Sequence, residues 1–166
     1  MKSKFVLLFL FSAFFCYADN ISLPNPKLTP GAVFKNVTKE TICTPNYSKS
    51  VRSVSEKMKK RVYSAYGITN PPKGEYKIDH LIPLCIGGNN EFKNLWPHHY
   101  NKGYWNAHKK TRLEVRLKRL ICTGHITKEQ AQAEIAKNWI TAYKKYIVEK
   151  SRGNSDGNEN LDNTVD

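Results

Sequence analysis

The chain has 166 residues, and its 27 lysines and arginines against 14 aspartates and glutamates give a net charge of +13. That length fits one domain of ordinary size. The charge makes a polyanion the candidate partner, nucleic acid first and an anionic surface second.

The chain opens with an address. Lys2 and Lys4 precede an apolar or small-residue run from Phe5 to Phe15, and Cys16-Tyr17-Ala18 supplies small residues at the cleavage-reading positions. This is the layout of a signal peptide over residues 1–18, cleaved before Asp19, and it predicts a secreted or periplasmic protein. The run is shorter than the roughly 20 residues that span a bilayer, so no stable membrane insertion is expected after cleavage. A lipoprotein reading through Cys16 is the minor alternative, disfavoured by bulky Phe14 and Phe15. At the other end, Ser151 to Asp166 holds four acids against Arg152 and reads as a disordered acidic tail. The domain is therefore expected over residues 19–150.

From Ile21 to Ser50, Pro24, Pro26, Pro30 and Pro45 stand among polar residues, which predicts an extended arm packed on the domain. Ser53-x-x-Glu56 is a capping-box pattern, and Val54, Met58, Val62 and Tyr66 recur every four residues, predicting a helix over about residues 54–66. Its other face carries Lys57, Lys59, Lys60 and Arg61. After the turn Asn70-Pro71-Pro72-Lys73-Gly74, Tyr76 to Cys85 reads as a strand, Gly87-Gly88-Asn89-Asn90 as a turn, and Phe92 to Trp96 as the return strand of a hairpin. Leu113, Leu117, Leu120 and Ile121 predict a helix from Ala107 to Ile121. Thr127-x-x-Gln130 then caps a last helix with Ala131, Ile135, Trp139, Tyr143 and Tyr146 or Ile147 on one face.

Three cysteines follow the leader, Cys43, Cys85 and Cys122. In an oxidising compartment two of them pair. Cys43–Cys122 is the expected bridge, because Cys85 lies inside the motif strand. No Cys-x-x-Cys is present, which argues against a structural zinc knuckle.

An acid followed by an imidazole inside an apolar strand costs desolvation unless the pair binds a metal, finds partners or stands at an open cleft. Asp79-His80 taken alone reads as structural. Its company reverses that: Asp79-His80-Leu81-Ile82-Pro83 leads into Gly87-Gly88, Asn94 follows His80 by fourteen positions, and Asn106-x-x-Lys109 opens the next helix.

This series resembles the HNH (ββα-metal, or His-Me finger) endonucleases, and more closely a secreted subgroup with an Asp-His-Leu-Ile-Pro-Leu…Gly-Gly…Asn-Leu-Trp-Pro core. The resemblance implies an α+β fold built on a ββα-metal hairpin and helix, with flanking helices. It also implies a metal-dependent endonuclease that hydrolyses phosphodiester bonds of DNA, or RNA, with low sequence specificity. His80 matches the general base, a neutral imidazole able to take a proton from water. Asp79 matches a ligand of one divalent ion, Mg²⁺ first, with Mn²⁺, Ca²⁺ and Zn²⁺ as alternatives. Asn94 matches the residue that holds the hairpin loop and orients the base. Asn106 best matches the ligand at the helix start, with His98, His99 and Asn101 open as alternatives. Lys109 is expected to offset charge on the reacting phosphate, and Lys110, Arg112 and Trp105 to contact nucleic acid.

His98 and His99 are otherwise read as a solvent-facing or substrate-contacting pair. Trp96, Tyr100, Tyr104 and Trp105 form an aromatic cluster suited to packing or to stacking on bases, and packing is the reading for Trp96. The competing reading is a non-catalytic basic protein that binds nucleic acid or an envelope surface.

Overall fold

In the computed structural model the described residues are 22–149. The leader expected over residues 1–18 and the acidic tail expected over residues 151–166 lie outside them. The fold is mixed α+β, with five α-helices and one two-stranded antiparallel sheet among the described residues.

The proline-rich arm is less uniformly extended than its sequence suggests. It holds two four-residue helices, α1 (Lys39–Ile42), capped by the Thr38 side chain, and α2 (Tyr47–Ser50). Ile42 and Tyr47 drop from these helices into the core. Helix α3 spans Glu56–Ala65, and its N-cap is Ser55, whose side chain accepts from the Met58 amide. Ser53 is therefore not the cap; its amide donates to Asn90 Oδ1 instead.

Strand β1 covers Tyr76–His80 and pairs with β2, Leu95–His99. Both strands are displaced from their expected limits. Leu81 to Ile86 is apolar because it is buried, not because it continues the ladder. After Pro83 the chain turns through a single 3₁₀ turn at Leu84–Ile86, and a second at Phe92–Asn94 precedes β2. Burial on every side erases the alternation that would have marked the end of the strand.

Gly87 and Gly88 close this loop. Gly87 sits at φ +91°, the left-handed region. A Cβ on Gly88 would lie 1.8 Å from the Ile82 carbonyl oxygen and 3.0 Å from Asn94 Nδ2. Gly88→Ala is expected to cost at least ~3 kcal/mol, because the obstacle is backbone and has no rotamer to yield. A urea unfolding midpoint unchanged by the substitution would contradict this packing.

Helix α4 runs Ala107–Cys122, capped by the Asn106 side chain, and α5 runs Lys128–Tyr143, capped by Thr127. Helix α5 is broken at Asn138, whose backbone is extended and whose Oδ1 accepts from the Ile140 and Thr141 amides, acting as a second N-cap. Single-face periodicity does not reveal that break, since Ile135, Trp139 and Tyr143 are buried on both sides of it. A π-helical turn, Lys144–Glu149, follows.

The core joins α4, α5, α1 and the loop after β1 through Ile42, Leu81, Ile86, Leu113, Leu117, Ile121, Ile135 and Trp139. Cys43 and Cys122 form a disulfide with Cα atoms 5.8 Å apart, tying the arm to the end of α4. Cys85 is free; burial pushes its thiol up to about 12, and Sγ points at the Glu114 carbonyl. That thiol is protonated and unreactive at neutral pH. No helix among the described residues is long and apolar enough to cross a membrane.

Candidate active site

Alternation along β1 sends neighbouring side chains to opposite faces of the hairpin. Asp79 and His80, adjacent in sequence, therefore leave the strand in different directions. The ladder sets Asp79 across from Trp96 and Lys77 across from His98, on the face that meets α4. His80 lies across from Leu95 on the other face, where Asn90 meets it.

Asp79 is 2% exposed. Its Oδ1 accepts from the His80 amide at 3.0 Å and pairs with Lys77 Nζ at 3.1 Å. Its Oδ2 faces His98 Nδ1 at 3.2 Å and Lys110 Nζ at 3.4 Å. Burial opposes the charged form, but Lys110, His98 and Lys77 together overcome it and hold the carboxyl well below the usual carboxylate range. Lys110 also donates to the His80 carbonyl at 2.6 Å and to Glu114 Oε1 at 2.7 Å. One ammonium thus ties β1 to two turns of α4.

This arrangement corrects two expectations. Lys110 is wholly buried and does not present a charge to nucleic acid. His98 and His99 are buried too: His98 stacks on Trp96 and points Nε2 at the Trp105 carbonyl, and His99 lies against Tyr76.

The metal expectation meets the same geometry. Both Asp79 oxygens are engaged, and two ammonium groups stand within 3.4 Å of them, where a divalent cation would be repelled. Asn106 Oδ1 caps α4 by accepting from the Lys109 amide at 3.3 Å, and its Nδ2 donates to the Gly103 carbonyl. Among the described residues no hydrogen bond joins Asn106 to Asp79 or His80. As arranged, Asp79 and Asn106 do not fit a divalent ion between them.

The loop beside His80 is held by Asn94, which is fully buried. Its Oδ1 accepts from the Ile82 amide, and its Nδ2 donates to the Ile82 and Asn89 carbonyls. Asn89 in turn accepts from the Glu91 amide and donates to the Val33 carbonyl. Between these lies Asn90, whose Oδ1 stands 3.1 Å from His80 Nε2. Asn90 is the residue that sequence reasoning passed over. It was visible only as part of a polar turn, and no spacing announces a side chain that folds back on a residue ten positions earlier.

Burial pushes the His80 imidazole down to about 4; Asn90 and Asp79 oppose the shift, while Arg52 and Lys110 add to it. His80 is therefore neutral at pH 7. An unfolded histidine titrates near 6.5. Between about pH 4 and 6.5 the unfolded chain binds a proton that the folded chain does not, so stability rises with pH across that window. The contribution is complete above pH 6.5 and lost as pH falls towards 4, on the order of 3 kcal/mol. Thermal melts of His80→Asn should show a flatter dependence than the wild type over that window; parallel curves would contradict it.

Of the other expected contacts, Arg112 is exposed on α4. Lys109 Nζ sits 4.0 Å from the centroid of the Tyr104 ring. Tyr104 is 67% exposed, so this pair offers a charge and an aromatic face to solvent. Trp105 is half-buried and meets Trp139 and Tyr143 edge-on, which makes it chiefly a packing residue. Trp96 is fully buried, in keeping with a packing role.

Comparison of the chain with protein-family models, with curated proteins and with solved structures found no match.

Proposed function

We propose that the chain is a phosphodiester hydrolase acting on DNA or RNA with low sequence specificity, of the HNH (ββα-metal) type that its motif resembles, with His80 as general base. The observation that carries this reading is a buried, neutral imidazole at the end of β1, held by Asn90 beside a loop that Asn94 ties together. The elements run hairpin then helix, in the order the resemblance implies.

In this reading His80 takes a proton from water, whose oxygen bonds to phosphorus. The bond from phosphorus to the 3′ oxygen breaks, and that oxygen is protonated by solvent. Products carry 5′-phosphate and 3′-hydroxyl ends. Lys109 and Arg112, on α4, add to the charge that holds the polymer, while Arg52 is the exposed cation whose field reaches His80. The Tyr104 ring offers a stacking surface indifferent to sequence, and the net charge of +13 draws the polyanion in. No step is assigned to Asp79, whose charge is spent on Lys110, Lys77 and His98.

End analysis of the cleaved strands tests the chemistry: ligatable 5′-phosphate ends are expected, and 3′-phosphate or cyclic phosphate ends would contradict it. The second reading, a non-catalytic binder, rests on the charge alone. It predicts binding that weakens steeply with salt and strands that stay intact.

A further inference from the structure

Asn90 is contacted from two sides. Its Nδ2 donates to the Val51 carbonyl at 2.7 Å, and its Oδ1 accepts from the Ser53 amide at 3.2 Å. A carbonyl takes only a donor and an amide offers only a donor, so these two backbone groups of the N-terminal arm fix which way the Asn90 amide faces. The oxygen is then the atom that stands 3.1 Å from His80 Nε2. An amide oxygen is an acceptor only, so Nε2 must bear the hydrogen, and the lone pair of a neutral ring falls on Nδ1.

We propose that Asn90 is a positioning residue, set by the N-terminal arm through Val51 and Ser53, which locks His80 in the Nε2–H tautomer and so makes Nδ1 its proton-accepting atom. The assignment gives the arm a role in the site. The segment that carries Val51 and Ser53 follows α1 and α2 and is tethered to α4 by the Cys43–Cys122 disulfide. Asn94 fixes the loop from the other side through the Asn89 carbonyl. As a statement about the ring's hydrogen it stands apart from the nuclease reading; as a statement about Nδ1 accepting a proton from water it rests on that reading.

The test is long-range ¹H–¹⁵N NMR of the imidazole in the intact protein at pH 7.5, which distinguishes the two tautomers by their nitrogen shifts. The Nε2–H form is expected for the wild type and for Asn90→Asp, whose carboxylate still accepts from Nε2 and from Ser53 although it loses the bond to the Val51 carbonyl. Asn90→Ala should show a mixture, with kcat on the cleaved polymer lowered by roughly tenfold to a hundredfold, KM little changed, and activity partly restored in Asn90→Asp, which keeps the acceptor for Nε2 but not the donor to Val51. An Nδ1–H ring in the wild type, or an unaltered tautomer in a folded Asn90→Ala protein, would overturn the proposal. Should the tautomer be as assigned while no strand is cut, the nuclease reading fails and the Asn90 lock remains; cutting by a protein with the opposite tautomer is the reverse result.

Discussion

Replacing Lys110 by methionine is expected to destabilise the fold by about 3–5 kcal/mol, the usual consequence of removing one member of a buried ion pair. Methionine keeps much of the stem's volume, so the loss is electrostatic. Asp79, 2% exposed, would keep its charge with Lys77, His98 and the His80 amide left to meet it, while Glu114 and the His80 carbonyl would each lose a donor. In a domain of this size the melting temperature should fall on the order of 10 °C or more. Asp79→Asn in the same chain should recover part of the loss, because the unpaired charge is then gone. Arg112→Met, two residues on and exposed on the opposite side of the helix, should change stability by no more than about 0.5 kcal/mol. Were Lys110 a surface contact for nucleic acid, its substitution would instead weaken binding and leave the melt unchanged.

Substituting His80 by alanine should lower strand cleavage by about 10²–10⁴-fold, the range for loss of a positioned general base. The fold should survive. His80 contributes one hydrogen bond from its ring, to Asn90, and Asn90 keeps its partners at Val51 and Ser53. The loss should fall on kcat more than on KM, because polymer affinity rests on charges elsewhere on the surface. An inactive but unfolded His80→Ala protein would say nothing of catalysis, so a circular-dichroism melt accompanies the assay.

Helices α4 and α5 were legible because a one-sided apolar stripe at 3.6-residue spacing has no other stable use. Thr127 announced the start of α5 as a capping residue; Asn106, read as a metal ligand at the start of α4, is that helix's cap. The disulfide could be chosen by setting aside the cysteine in the motif strand. The strands were placed less well, since Leu81 and Ile82 belong to a buried loop and loop burial imitates strand burial. Lys110 is the instructive miss. Positions 110, 113, 117 and 120 share one helical face, and Leu113, Leu117 and Leu120 on it are all buried, so the register put Lys110 in the interior. Between Lys109 and Arg112 it nevertheless read as a contact to nucleic acid, because its partner Asp79 lies on another element. Asp79 and His80 were read as a single site, and the alternation of a strand sends them to opposite faces.

The most direct measurement is the fate of plasmid DNA and of RNA incubated with the purified protein and with His80→Ala, in Mg²⁺ and in parallel with Mn²⁺, Ca²⁺ and Zn²⁺. The account predicts nicking or degradation by the wild type and its loss in the His80→Ala protein; intact strands under every ion, or cutting that persists undiminished without His80, would contradict it.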